Sequence, residues 1–399
     1  MNILILANKL PFPPRDGGSI ATLNMALGLH HAGNKLTCLA MNTTKHPYPV
    51  EEIPEELQKN IRFIGVYCNT SIRPIRLLIN LLFSRSPYIA ERFKIKAFKT
   101  ALQTLLKEER FDIIQMEGPY LFHYLDQIRK ESRARIALRA HNAEHLIWKR
   151  MALREKACLK RWYLGNLARR LHTYEMRVVN GVDYLVPISD PDKSYFSLLG
   201  ANTPMLTIPT GLKLEEYPLT EIPADPSLFY IGALDWMPNQ EGLRWFIDHV
   251  FDLLLDEMPD IRLHVAGRNA EDSFLKKLDH PNITYHGEVE NARSFMKAYR
   301  IMIAPLFSGS GIRIKILEAM ALGRPVVTTS TGIEGIPAEN LRTVLVGDDP
   351  QSYHDLLLEL LKDPKESALG VAEARKLISR EFDTFKLSKR LSQFYKEEA

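Results

Sequence analysis

Apolar runs of five to seven residues alternate along this chain with stretches whose apolar positions recur at helical spacing. NILILA reads as a short strand, NKLPFPPRDGG as a loop, SIATLNMALGLHHAG as a helix stopped by Gly33, and KLTCLAM as a second strand. That is one βαβ unit, and strands alternating with helices predict a parallel sheet covered on both faces. Further strands are predicted at IRFIGVY (61–67), FDIIQM (111–116), RIALRA (135–140) and DYLVPIS (183–189), with helical periodicity over 88–109 and 143–179. The aperiodic, Pro-rich stretch TIPTGLKLEEYPLTEIPADP then interrupts the pattern, as a domain boundary does. Alternation restarts with SLFYIGA (227–233), IRLHVAG (261–267), NITYHG (282–287), RIMIAPL (300–306), PVVTTS (325–330) and RTVLVG (342–347). Helices are expected between these strands near 239–257, 290–298, 313–322 and 350–362. The expected architecture is α/β, two doubly wound Rossmann-like domains facing across a cleft, with residues 1–212 in the first and 213–382 in the second. In such sheets ligands bind beyond the carboxyl ends of the strands, so the loops there are where chemistry is sought.

Composition narrows the class without naming an activity. At 399 residues, 45% hydrophobic and 25% charged, the chain has the make-up of an ordinary globular protein and no biased tract. A net charge of +4 over this length is too weak a field to argue for nucleic acid. The N-terminal apolar run is too short for a signal peptide, and no run reaches the roughly 18 residues of a membrane span, so a soluble, cytoplasmic chain is expected. Cys38, Cys68 and Cys158 lack metal-ligand spacing and are expected to be small apolar fillers.

The most informative stretch is SGSGIRIKILEAMALGRPVV, residues 308–327. It follows a predicted strand directly. Glycines let a backbone approach a ligand, and a helix starting near Ile312 would aim unpaired N–H groups and its positive dipole end at the same spot. Arg313 and Lys315 would add positive charge within reach of a diphosphate. Glu318, one to two turns in, suits the vicinal hydroxyls of a ribose. IRIKI alternates with period two and fits a half-exposed strand as well, but EAMALG consists of strong helix formers closed by Gly323, with Pro325 beyond.

This segment resembles the nucleotide-sugar motif of the retaining, GT-B-fold glycosyltransferases of family 4. Further pieces match in order: PFPPRDGGS, FDIIQMEG, IALRAHNAEH, VPISDPDKSYF, IPTGL, FYIGALDWMPNQEGLRWF and HVAGRN. The resemblance implies a C-terminal domain that binds a nucleoside diphosphate sugar, an N-terminal domain that presents the acceptor, and a C-terminal helix, about 383–399, returning to brace the first domain. It implies donor contacts from Gly17, Gly18, Gly232, Arg268, Ser310, Gly311, Ile312, Arg313, Lys315 and Glu318, with the backbone at Gly311 and Ile312 on phosphate and Glu318 on ribose. His141 matches the cleft histidine close to the donor hexose and is, with Glu318, a catalytic candidate, while Glu117 and Asn142 are acceptor-side candidates. A plain turn before a helix explains Gly17 and Gly18 about as well. No cofactor and no metal are implied, the sugar nucleotide being a co-substrate whose departing diphosphate is stabilised by preorganised donors.

The sequence departs from the family at three points. The first of two acidic residues eight apart is Ser310. The Arg and Lys expected after the first strand of the second domain are Ala233 and Asn239, and Arg313 and Lys315 are the candidates to replace them. DPD at 190–192 looks like a metal motif but fits a helix cap better, with Ser189 or Asp190 capping and Pro191 in the first turn. Residues 149–177 hold nine Lys or Arg against two Glu, with aromatics between. This is either a basic helix lying on an anionic membrane or a core helix with a solvated face, and 73–99 adds a second basic and apolar patch. The expected function is transfer of a hexose to a glycan or lipid-linked acceptor in surface or exopolysaccharide synthesis. The alternatives are a catalytically weak nucleotide- or glycan-binding protein, and a sugar-nucleotide epimerase or hydrolase with Glu117 as the candidate carboxylate.

Overall fold

The computed structural model describes residues 1–309, 311–362 and 364–397. The chain divides into two compact units, Met1–Gly211 with Thr384–Ala399, and Leu212–Asp383. Each is built on one all-parallel sheet of six strands.

In the first unit the strands are β1 (Asn2–Ala7), β2 (Lys35–Thr43), β3 (Arg62–Cys68), β4 (Ile113–Glu117), β5 (Arg135–Ala140) and β6 (Tyr184–Pro187), in the order β3-β2-β1-β4-β5-β6. Central strands covered on both sides have no solvent face, which is why they read as unbroken apolar runs. Helix α1 (Gly17–His31) lies on one face. The C-terminal helix, Thr384–Glu397, packs against α1 and places Leu387, Leu391 and Tyr395 in the same core. Gly28 permits that contact: a Cβ there would sit 2.0 Å from Ser388 Oγ and 2.7 Å from its Cβ.

The same unit holds helices α2 (Pro74–Phe83), α3 (Glu144–Arg154) and α4 (Cys158–Val179). The expected continuous helix over 143–179 is two helices. At the break the Glu155 carboxylate accepts the Ala157 N–H at 3.1 Å and pairs with Lys160, an arrangement that competes with the helical ladder. In α4, Leu164, Leu167, Ala168, Leu171, Tyr174, Val178 and Val179 are buried at helical spacing, so the basic stretch is a core helix with a solvated face. Cys38 and Cys68 are buried, whereas Cys158, expected as a filler, is exposed at the start of α4.

In the second unit the strands are β7 (Ser227–Ile231), β8 (Arg262–Ala266), β9 (Ile283–Tyr285), β10 (Ile301–Ala304), β11 (Val326–Thr328) and β12 (Leu345–Val346), ordered β12-β11-β10-β7-β8-β9. Helix α5 (Met237–Phe246) follows β7, and α6 (Ile314–Ala321) follows β10. The C-terminal helix above is α7. Chain order reverses between β7 and β10 in this sheet, and between β1 and β4 in the first. Such switch points leave a crevice beyond the carboxyl ends of the two strands.

Candidate active site

Three loops meet at the β7/β10 switch point. Gly232, just past β7, is closely packed: its N–H donates to the Ala266 carbonyl at 3.0 Å, and a Cβ on it would lie 3.0 Å from both Asn239 Nδ2 and Lys315 Nζ. Gly267, past β8, would drive a Cβ to 2.2 Å from the Gly232 carbonyl. Past β10, Gly309 and Gly311 take φ of 100° and 78°, a left-handed backbone in which a side chain would be strained. That geometry delays the helix. It begins at Ile314 rather than near Ile312, leaving Gly311 and Ile312 in the loop, with Arg313 in the capping position and no side-chain cap bond. Ser310 lies outside the described residues.

Lys315 is carried by α6 across the switch point. Its ammonium donates to Tyr230 OH on β7 and to Asn239 Oδ1 on α5, both at 3.1 Å, and lies 4.3 Å from the Tyr230 ring centre. Asn239 Nδ2 in turn donates to the Ala233 carbonyl at 2.8 Å. The two positions that lack the cations of the resembled motif are therefore tied to one lysine arriving from the neighbouring strand. Burial, and then the charge of Arg313, pull Lys315 down to about 7, so the full charge expected of it is only partly present near neutrality. An anion beside it would restore the proton. The Arg313 guanidinium turns back to donate to the Gly311 carbonyl of its own loop. Arg268, at the end of β8, keeps a buried Nε with no hydrogen-bond partner among the described residues.

Glu318 is three residues beyond Lys315 and on the same face of α6. It is buried, and its Oε1 accepts a hydrogen bond from Tyr217 OH at 2.7 Å. Burial pushes its pKa up, while that hydrogen bond and Arg293 oppose the shift. Arg293 stacks over the Tyr217 ring at 5.4 Å and pairs with Glu216. Sequence reasoning missed Tyr217, Tyr230 and Arg293. Tyr217 stands in the aperiodic linker, and nothing in local spacing connects it to a helix about a hundred residues later.

In the first unit His141 follows β5, and its Nε2 lies 2.7 Å from Glu117 Oε2, the last residue of β4. Glu117 is not the accessible carboxylate expected of an acceptor-side or epimerising acid. Only 3% exposed, it accepts from Gln115 at 2.6 Å and Thr22 at 3.1 Å and faces Arg139, its register partner on β5, at 3.5 Å. Burial disfavours its charge, but Arg139, the His141 and Gln115 hydrogen bonds outweigh burial and hold it at about 2. Gln115 Oε1 accepts from Tyr395 OH of α7 at 2.8 Å, so three hydrogen bonds connect the C-terminal helix to His141.

The other predicted residues have local roles. Gly17 and Gly18 open α1, capped by Asp16, which accepts the Ser19 N–H at 3.0 Å and pairs with Lys9. Neither takes a positive φ, so their conformation is that of a plain helix start. Asn142 hydrogen-bonds Glu144 in the first turn of α3. Ala143 cannot cap that helix, and Glu175 of α4 accepts the N–H groups of Glu144 and His145 instead, both at 2.8 Å. Burial and then Glu175 raise Glu144 to about 7, a carboxyl titrating near neutrality that the sequence did not single out. In the DPD segment Ser189 caps the helix Asp190–Leu198 by accepting the Asp192 N–H at 3.2 Å, with Pro191 in the first turn. Among the described residues no group of three His, Cys, Asp or Glu side chains is placed to hold a metal ion.

Comparison with known proteins bears on this geometry. Residues 225–363, the span containing both Lys315 and Glu318, match the family model of Glycosyl transferases group 1. The chain is a glycosyltransferase. It is 21% identical over 407 residues, 99% of each chain, to an uncharacterized 44.6 kDa protein in the cps region of Klebsiella pneumoniae. It is 28% identical over 173 residues to the lipopolysaccharide core biosynthesis mannosyltransferase LpsB of Rhizobium meliloti, covering 40% of this chain and 48% of the relative. Among solved structures, sucrose-phosphate synthase of Thermosynechococcus elongatus superposes with a TM-score of 0.73 at 15% identity, over 100% of this chain and 99% of that one. TarM of S. aureus, solved with fondaparinux, alpha-GlcNAc-glycerol and UDP, superposes with a TM-score of 0.72 at 12% identity over 99% of both. At these identities the likeness establishes the fold of this glycosyltransferase, which is GT-B.

Proposed function

We propose that this glycosyltransferase is a retaining, metal-independent hexosyltransferase that moves a hexose from a nucleoside diphosphate sugar to a glycan or lipid-linked acceptor in the synthesis of a surface or exopolysaccharide. The observation that carries the reading is the Lys315 ammonium at the β7/β10 switch point, bonded to Asn239 and through it to Ala233. A diphosphate lying over the Gly309–Gly311 loop meets that cation, and Glu318 on the same helix face meets the ribose. As the anomeric bond breaks, negative charge grows on the diphosphate, and a donor already in place lowers the barrier without reorganising. Front-face departure leaves the phosphate itself to accept the acceptor's proton. His141, oriented by Glu117, matches the histidine that the family resemblance sets close to the donor hexose. The TarM structure was solved with UDP, and the Klebsiella relative is named for a cps region, which supports a sugar-nucleotide donor and a polysaccharide product. In this reading the enzyme works in the cytoplasm, on a sugar-nucleotide donor.

Product analysis with a panel of labelled sugar nucleotides, with and without excess chelator, tests this. Transfer that is indifferent to chelator, with the donor's anomeric configuration kept, is expected. Inversion, or loss of activity without metal, overturns the respective part of the proposal. A second reading, a catalytically weak binding protein, is favoured by Ser310 in place of an acid. Donor binding by calorimetry without product or free sugar would establish it.

A further inference from the structure

Helix α2 has no buried residue. Its apolar side chains Ile75, Leu78, Ile79 and Leu82 recur at i, i+3, i+4 and i+7, the spacing that normally faces a core, yet all are exposed, and Phe83 beside them is 84% exposed. The helix is nevertheless fixed in place. Leu77, Asn80 and Leu81 line a small pocket together with Tyr163, Asn166, Leu167 and Arg170 of α4, and the Arg170 guanidinium donates to the Asn80 carbonyl at 3.1 Å and the Leu81 carbonyl at 2.7 Å, satisfying the C-terminal turn. One turn N-terminal to that contact, Leu159 and Trp162 of α4 are also exposed, next to Lys160 and Arg161. The helix also borders a groove of about 740 Å³, lined by Arg73, Arg76, Arg92 and Lys94 with Glu91 as its one carboxylate, and by Ile79 and Phe83.

We propose that α2 and this groove form a docking surface for a phospholipid bilayer with anionic headgroups. The exposed aliphatic row enters the acyl boundary, and the guanidinium groups at its edge take lipid phosphates in forked hydrogen bonds. Charge complementarity selects this occupant over a second copy of the chain, because a symmetric contact sets this face, four cations with one carboxylate, against the same face with no countercharge. A face both apolar and cationic matches the layered chemistry of a membrane surface, with apolar chains below and phosphates at the rim. The proposal stands apart from the sugar-nucleotide reading, since it uses neither Lys315 nor Glu318.

The full chain is sedimented at low salt with vesicles of phosphatidylcholine mixed with phosphatidylglycerol, and with vesicles of phosphatidylcholine alone. We expect binding to the mixed vesicles and at least about tenfold weaker binding to the neutral ones. Leu78→Glu with Leu82→Glu, and separately Arg73→Ala with Arg76→Ala, are expected to abolish or strongly reduce sedimentation at unchanged melting temperature and far-ultraviolet circular dichroism. Absence of the protein from the mixed-vesicle pellet, or equal binding by both variants, overturns the proposal. So does sedimentation velocity showing a dimer that Leu78→Glu with Leu82→Glu dissolves, which would assign the face to a second copy.

Discussion

Lys315 shows how much one side chain's surroundings alter its chemistry. An exposed lysine is charged throughout the physiological range, but this one sits against a tyrosine ring, an amide and another cation, and titrates at about 7. Its ammonium is disfavoured without a ligand, so donor binding takes up a proton. Affinity should be greatest at and below neutral pH and weaken as pH rises, by up to about tenfold per unit, because the free site loses its proton first. Calorimetry of the donor between about pH 7 and 9, in buffers of different ionisation enthalpy, reads both effects. Lys315→Arg should flatten the profile, since a guanidinium keeps its charge. Glu117 has the opposite character. Its pKa lies at about 2 against an ordinary 4.5, so the stability it contributes is present above that ordinary value and is lost as pH falls toward 2. Glu117→Gln leaves Arg139 buried without a countercharge and should cost about 3–5 kcal/mol in denaturant unfolding. The same change frees His141 to tilt and should lower kcat by up to about 100-fold while donor affinity holds. An unchanged kcat would remove His141 positioning from the mechanism.

Among the elements, the C-terminal helix α7 has the clearest structural logic. Its amphipathic pattern predicts a helix, and its seat on α1 depends on Gly28, where the two helices come too close for a side chain. Gly28→Ala must displace Ser388 and Thr384, and is expected to lower stability by about 1–3 kcal/mol in urea, with a larger loss for Gly28→Val. Unaltered stability would mean that α7 does not rest there. Helix α2 reads in the sequence only as part of a basic and apolar patch, because just Arg76 and Asn80 interrupt its apolar residues and the stripe they leave faces water rather than a core. The opposite happened in α4. Its sequence fits a membrane-facing basic helix and a core helix with a solvated face equally well, and the buried row from Leu164 to Val179 shows that its apolar residues fill the core. Charge counts along a helix cannot distinguish these cases without its neighbours.

For the molecule as a whole, two sheets with separate cores imply two units of independent stability. Scanning calorimetry should resolve two transitions. A saturating donor should raise only the one belonging to Leu212–Asp383, by about 2.7 kcal/mol at roughly a hundredfold excess over Kd. Equal displacement of both would show that the donor is held by both units. Alternation of apolar runs and helical periods was sufficient to predict two parallel α/β sheets, because a strand buried on both faces must be apolar along its length and the signal is local. The same local signal placed Lys315 and Glu318 on one helix after a glycine loop. It said nothing of where their side chains end. That Lys315 crosses from β10 to Asn239 and Tyr230, that Tyr217 holds Glu318, and that Glu117 turns inward to His141 follow from strand order and register. These contacts join residues 24 to 101 positions apart, and the distances between such residues exist only once the sheets have formed.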